Sequence, residues 1–392
     1  MAPRWFEHPR LARLIGFALC LTASALSAQE RKPASAPPVP IAQTPTPNGP
    51  DAKSEAPAEA KAKTPPKPQP HVALILPLQS KAFGKVADAI QQGFIAASKA
   101  AGKETLPFRV AAADDDTVAL AREARRSVSE AAVLIVGGIT RDGANTLARE
   151  VGYVPVLSLN TPSMSETELP DRYHFVSLNL DSEARLAARR AGDEGLKRIV
   201  IASTPSALSK RIQDSFEKEW QKRGGEIASR ILINGDLVEG DRIVAAFEKA
   251  QADSAFLVAE KKVARGARPF FPQGLPVYST SYTIDPRAGP VENLDLDGVR
   301  FMEMPWFVEA DHPAVMAYDK PSETMPIDFE RLYALGIDAW RLATAIVNGD
   351  PKKPFPPLDG VTGKISLEGK QFVRALIAAE LRDGRVTARS TE

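Results

Sequence analysis

Between Gln29 and Pro70 the chain carries twelve prolines, and its largest apolar side chains there are Val39 and Ile41. Proline fixes φ and offers no backbone N–H, so such a tract cannot enter the interior of a helix or a sheet. Nor can it bury enough apolar surface to offset the entropy lost on folding. Interleaved Lys and Glu keep it solvated, and extended polyproline geometry at about 3.1 Å per residue gives it a reach of roughly 130 Å. It reads as a disordered Pro/Ala/Lys-rich linker over 29–70 rather than a partner-recognition segment. Folding is left to residues 71–392, roughly 320 residues, enough for two lobes with a core each.

Ahead of the linker, Arg4, Arg10 and Arg13 precede a weakly polar to apolar run over 14–26, followed by the small residues Ser27 and Ala28. This charged, apolar, small-residue order is that of a secretory signal peptide over 1–28, with cleavage after Ser27 or Ala28. The apolar run is short for a membrane anchor, which needs about twenty residues. The single cysteine, Cys20, offers the alternative of a lipoprotein signal and an outer-membrane tether, but Leu19 stands where that signal prefers Gly, Ala or Ser. The expected location is the periplasm, with no transmembrane segment in the mature chain.

From His71 onward the pattern alternates. The run 71–78 is almost continuously apolar and is stopped by a proline, as for a parallel strand covered on both faces. Val86, Ile90, Gly93, Phe94 and Ala97 then recur at helical spacing. Strands at 108–113, 132–136 and 154–159 alternate with helices at 118–128 and 141–151. A second series follows, with helices at 186–195, 212–223 and 243–250 and strands at 198–203, 227–233, 255–258 and 276–282. Strands joined by helical crossovers imply parallel sheets of right-handed α/β topology. Over 329–347 one helical stripe of Phe329, Leu332, Tyr333, Gly336, Ile337 and Trp340 faces a core, with Arg331, Asp338, Arg341 and Asn348 opposite. The segments 363–367 and 372–381 read as a terminal hairpin or sheet addition.

The composition excludes several chemistries. With 50 basic and 49 acidic residues the chain is near neutral, which argues against nucleic acid as a partner. No thiol nucleophile or cysteine metal site is available after Cys20, and His71, His174 and His312 are widely scattered. No phosphate-cradling loop, dinucleotide fingerprint or nucleophile elbow occurs, so neither cofactor nor enzyme is expected. Ser215-Phe216-Glu217-Lys218 matches a Ser-x-x-Lys pattern on an amphipathic helix, without its accompanying motifs. Asp114-Asp115-Asp116 stands before a helix, where an N-cap accounts for it without an ion. His174 between Tyr173 and Phe175 reads as structural, and Trp306 and Phe307 with Met302 and Met304 read as core. Phe270-Phe271, bounded by prolines, reads as an exposed contact patch.

Several stretches together resemble a known family. The opening strand is followed by Phe83-Gly84-Lys85-Val86-Ala87-Asp88-Ala89-Ile90-Gln91-Gln92-Gly93-Phe94, similar to the start of type I periplasmic-binding-protein domains. Pro155-Val156-Leu157-Ser158-Leu159-Asn160, Leu275-Pro276-Val277-Tyr278-Ser279-Thr280-Ser281 and Leu296-Asp297-Gly298-Val299-Arg300-Phe301 with Met304-Pro305-Trp306 add to this. With Tyr333-Ala334-Leu335-Gly336-Ile337-Asp338-Ala339-Trp340-Arg341-Leu342 and Gly360-Val361-Thr362-Gly363, the chain resembles the LppC-type penicillin-binding-protein activators of Gram-negative envelopes over 71–392. In those activators an additional helical-repeat domain precedes this region, where the present chain has its Pro-rich tract.

The resemblance implies an α/β type I periplasmic-binding-protein fold of two doubly wound parallel-sheet lobes joined by a three-crossover hinge. Lobe one is expected from about 71–176 with 306–350, and lobe two from about 180–304 with 360–392. It implies a non-catalytic envelope protein that binds and activates a bifunctional peptidoglycan synthase, a class A penicillin-binding protein. The alternative is a periplasmic receptor holding a small polar ligand between the lobes. Ligands in open parallel sheets collect beyond the carboxyl ends of the strands. That rule points to Gln79, Ser80, Gly138, Thr140, Asn160 and Thr161 from lobe one and Thr204 and Tyr282 from lobe two. Loop capping is the competing account of the same residues. Phe270 and Phe271 are the candidate partner contacts.

Overall fold

The computed structural model describes residues 68–102, 106–234, 239–350 and 352–389. The signal peptide expected over 1–28, with Cys20, and the linker as far as residue 67 lie outside the described residues. The described residues all fall within one compact unit.

The first series runs β1 (His71–Leu76), α1 (Gly84–Ala100), β2 (Phe108–Ala112), α2 (Thr117–Ser129), β3 (Ala132–Gly137), α3 (Arg141–Val151), β4 (Val156–Ser158) and β5 (Tyr173–Phe175). Its strands pair in parallel in the order β2-β1-β3-β4-β5. Every residue of β1 is buried. The period of two explains why. Val72, Leu74 and Leu76 enter the core beneath α1, while Ala73 and Ile75 enter a second core shared with α2 and α3.

The second series runs α4 (Leu180–Asp193), β6 (Arg198–Ser203), α5 (Ala207–Lys222), β7 (Glu226–Leu232), α6 (Gly240–Ala250), β8 (Ser254–Val258), α7 (Lys261–Ala267), β9 (Val277–Tyr278), α8 (Pro290–Asn293) and β10 (Val299–Glu303). These strands are also parallel, in the order β7-β6-β8-β9-β10. The strand expected over 276–282 is confined to β9, because Ser279 and Thr283 turn their hydroxyls onto the carbonyls of Leu257 and Ala259.

The chain then returns through α9 (Pro305–Val308), α10 (Pro313–Met316), α11 (Ile327–Asn348), β11 (Leu358–Gly360), β12 (Gly363–Glu368), β13 (Gln371–Ala375), β14 (Ile377–Arg382) and β15 (Arg385–Ala388). Here the structure departs from expectation. The segment 358–375, assigned from sequence to lobe two from about 360 onward, builds β11, β12 and β13 onto the first sheet beside β5. Only β14 and β15 join the second sheet, beside β10. The apparent strand 372–381 is thus two strands in different sheets, with the switch at Leu376. The cause is packing, since Ile365 and Phe372 are buried in the first core and Phe372 meets Phe355 edge-on at 4.8 Å. Eight strands therefore form lobe one and seven form lobe two. The chain passes between them at 176–179, around Met304 and at Leu376.

Helix α11 packs along α1 more closely than side chains normally permit. A Cβ on Gly336 would lie 2.1 Å from the Ile90 carbonyl oxygen, and one on Gly93 would lie 1.9 Å from that of Tyr333. The two helices touch backbone to backbone. The expected solvent face of α11 is also revised, because Arg331 is 6 % exposed and Asp338 is 0 % exposed. The lobe-one turn at Val361 and Thr362 covers Asp338, and Glu303 and Ile284 of the lobe-two series cover Arg331. Asp338 accepts hydrogen bonds from the backbone N–H of Val361 and Thr362 and from the Thr362 hydroxyl, at 2.7 to 3.1 Å.

Gly336→Ala should lower unfolding stability by about 2 kcal/mol through overpacking against a backbone that cannot yield. Urea denaturation would show an earlier midpoint at unchanged slope; an unshifted midpoint would contradict the close contact.

Candidate functional site

At the strand ends of lobe one, local capping accounts for most of the polar residues. The Ser80 hydroxyl accepts from the backbone N–H of Ala82 and Phe83 and donates to Asp115 Oδ2 at 2.8 Å. That hydroxyl, before any other cause, holds the Asp115 carboxyl below its usual value. Thr140 caps α3, accepting from Gly143 N–H at 3.0 Å. Gly138 adopts φ 66°, a left-handed conformation that favours glycine. Gly138 and Thr140 line a cavity of about 20 Å³, room for a single water. Gln79 is exposed.

Asn160 and Thr161 stand in a different place. They line a polar cleft of about 410 Å³ between the lobes, with Arg141, Asp142 and Ser177 on the lobe-one side and Asp181 and Arg211 on α4 and α5. Asn160 Nδ2 donates to the Ile139 carbonyl at 2.7 Å and its Oδ1 accepts from Thr161 N–H at 2.8 Å. Thr161 Oγ1 lies 3.0 Å from Ser177 Oγ, and Arg211 pairs with Asp181 at 2.9 Å. Thr204 instead contacts Ser209 Oγ at 2.7 Å, and the Tyr282 hydroxyl donates to Glu260 at 3.3 Å. The structure therefore places two of the eight cleft candidates, Asn160 and Thr161, in the interlobe cleft, leaves Gln79 exposed and the other five in local contacts or the small cavity.

The remaining sequence candidates divide similarly. Asp116 is the N-cap of α2, accepting from Ala119 N–H at 2.7 Å. Met304 and Trp306 are buried in the lobe-one core, and His174 faces Phe372. The Phe270-Phe271 patch is corrected. Phe271 is 4 % exposed, its ring 4.7 Å from that of Phe247, whereas Phe270 is 39 % exposed and rests over Gly240. The proline-bounded turn lies over the lobe-two core and inserts one ring into it. Among the described residues no group of three or more His, Cys, Asp or Glu side chains is placed to hold a metal ion.

Sequence reasoning missed the most heavily charged buried region, at the hinge. Glu303 ends β10, just before the second crossover, and is 1 % exposed. Its Oε2 meets Arg331 of α11 at 2.7 Å, and its Oε1 accepts from Met304 N–H at 3.0 Å. Glu183, 6 % exposed in the first turn of α4, accepts from Ser281 N–H at 2.9 Å. Arg374, at the end of β13, donates to the carbonyls of Ser177 and Thr362 at 3.1 and 2.9 Å. Around this centre Glu330 accepts from Trp306 Nε1 and pairs with Arg287, while Asp328 pairs with Lys261 of α7. Burial, then the neighbouring Glu303 charge, push the Glu183 carboxyl up to about 7, against the pull of Ser281 and Arg374.

The sequence matches the family described as "LppC putative lipoprotein" over residues 64–384. The chain belongs to the LppC family. The penicillin-binding protein activator LpoA of Pantoea ananatis is 25 % identical over 71 % of this chain and 47 % of its own length. That of Glaesserella parasuis is 26 % identical over 75 % and 50 %. This LppC chain thus spans about half the length of these curated relatives. Among solved structures, the Haemophilus influenzae LpoA C-domain, described as a regulator of PBP1A, superimposes with a TM-score of 0.65 at 19 % identity. The match covers 82 % of this chain and 100 % of that domain. A Chromobacterium violaceum protein described as a putative branched-chain amino acid ABC transporter matches with a TM-score of 0.68 at 30 % identity, covering 80 % and 100 %. The fold is that of the type I periplasmic-binding proteins.

The raised Glu183 carboxyl has a definite consequence for this LppC chain. The folded state holds the proton more tightly than the unfolded chain, whose ordinary value is 4.5. The stability that goes with the bound proton is complete below that value and is lost as pH rises to about 7. The loss is about 3 kcal/mol. Unfolding free energies measured from pH 4.5 to 8 should fall more steeply for the wild type than for Glu183→Gln; parallel curves would contradict the assignment.

Proposed function

We propose that this chain is a non-catalytic envelope protein that binds a bifunctional peptidoglycan synthase, a class A penicillin-binding protein, and raises its activity. One observation carries the reading. The chain covers the whole of the H. influenzae C-domain that is described as a regulator, while spanning only about half of the full-length relatives named as activators. What this chain shares with those proteins is therefore the domain to which regulation is ascribed. The absence of nucleophile, phosphate-loop and dinucleotide motifs from the sequence supports contact rather than chemistry as the means.

The Arg-rich, apolar, small-residue start supports export to the periplasm, with lipidation at Cys20 as the alternative mode of attachment. Among the described residues no helix is long and apolar enough to cross a membrane. Phe270, exposed on lobe two, is the proposed apolar contact, and Asn160 and Thr161 are the proposed orienting groups for any small polar molecule in the cleft.

The test is a pulldown from solubilised envelope using the full chain, followed by glycan polymerisation and crosslinking assays on the captured synthase. The expected result is capture of a class A synthase whose rates rise with added protein. Phe270→Ala should weaken that capture by on the order of 30-fold, the effect of losing an anchor worth about 2 kcal/mol. A preparation that captures no synthase but retains a small solute in native mass spectrometry would replace this reading with that of a solute receptor.

A further inference from the structure

The four charged side chains at the centre of the hinge each lie next to a crossover or span the two lobes. Glu183 follows the first crossover and Glu303 precedes the second. Arg374 stands two residues before the third, at Leu376, and ties back to the first through the Ser177 carbonyl. Arg331 belongs to lobe one through α11, yet it reaches Glu303 at 2.7 Å and the Ile284 carbonyl at 3.4 Å, both from the lobe-two series. Any rotation of one lobe on the other must move these groups relative to one another. Three of them, Glu183, Glu303 and Arg331, are at least nine-tenths buried, so the rotation also changes their access to water.

We propose that this cluster makes the hinge a proton-dependent joint, held in the described arrangement by a proton on Glu183 and loosened when that proton leaves. Two carboxyls compete for one dry space. Glu303 is neutralised by its direct partner Arg331, whereas Glu183 is met by Ser281, through its backbone N–H and its hydroxyl, with no cation in direct contact among the described residues. Arg374 faces Glu183 from β13, but its own hydrogen bonds go to carbonyls. The groups that bear on Glu183 are therefore Glu303 from β10, Arg374 from β13, Arg331 from α11 and the backbone N–H and hydroxyl of Ser281 after β9.

An ionised Glu183 in this space is unfavourable beside Glu303, and turning the lobes apart hydrates it. A neutral Glu183 carries no such penalty. By linkage the arrangement that binds the proton more tightly is favoured at lower pH, so the joint opens as pH rises. Burial raising the Glu183 carboxyl to about 7 supports the same direction. The joint responds to the pH around the protein whether or not a synthase is bound.

The experiment is single-molecule energy transfer on the full chain, with Cys20→Ser removing the native thiol and dyes at Asp142→Cys on lobe one and Lys210→Cys on lobe two, both exposed beside the cleft. Between pH 5.5 and 8 the ratio of open to described molecules should rise about 30-fold and level off above 7. Glu183→Gln should hold the described distance across the whole range. A wild-type distribution that does not change with pH overturns the proposal without recourse to any variant. A Glu183→Gln protein that keeps the wild-type response overturns it as well, since the response then comes from another group.

Discussion

One ion pair joins the two halves of this molecule where water cannot reach. Glu303 and Arg331 meet at 2.7 Å with their side chains 1 % and 8 % exposed. Taking either charge out of water alone is costly by several kcal/mol; Arg331 also pairs with Asp328 on its own helix at 3.0 Å, but among the described residues Glu303 has Arg331 as its one cationic partner. The end of β10 and the start of α11 are thereby set relative to one another. Through Trp306, whose indole donates to Glu330 on the same helix, the second crossover is fixed to α11 as well.

The discontinuity of the lobes follows from close backbone packing as much as from charge. Because Gly93 and Gly336 let α1 and α11 touch without side chains between them, the late helix is committed to the first lobe. Asp338 on that helix then collects the turn at Val361 and Thr362 by three hydrogen bonds. A strand pair that could have extended either sheet is drawn to the first. The chain must therefore cross a third time, and Leu376 is where it does so. Both lobes are completed by segments from the far end of the sequence, which makes their relative position a property of the whole chain.

Much of the layer architecture was legible because parallel strands buried on both faces are apolar throughout, as in β1, and because α3 and α11 show clean helical periods. The third crossover was not. Residues 372–381 are apolar except for Arg374 and Glu380, and nothing local marks Leu376 as the point where pairing changes sheet. The hinge charges were hidden for a related reason. Arg331 and Asp338 fall on the polar side of a helical wheel, which indicates solvent only when a helix is covered on one face. Glu183 lies in the first turn of α4, capped by Asn179, and the helix was read as starting at Leu186 because that turn is polar. A carboxylate in a first turn already has a reason to be there, since it complements the helix dipole. In the cleft, Asn160 and Thr161 could be placed from strand ends alone, whereas Ser80 and Thr140 have the same sequence character and serve as caps. Phe270 and Phe271 show the limit most plainly, for adjacent and identical residues face opposite ways across a turn.

A domain of this fold can respond to a ligand in the cleft or present an outer surface to another protein, and both depend on how firmly the lobes are held. The central physical claim is that the Glu303–Arg331 pair couples them. A double-mutant cycle measures this directly, with Glu303→Gln, Arg331→Met and the double variant compared by urea denaturation at pH 6. The account predicts that Arg331→Met is the more destabilising single change, because it strands the buried Glu303 charge whereas Arg331 in Glu303→Gln keeps Asp328 at 3.0 Å, and that the coupling energy is about 2 kcal/mol or more, because the double variant removes the stranded charge. Additive effects, with a coupling energy near zero, would contradict it.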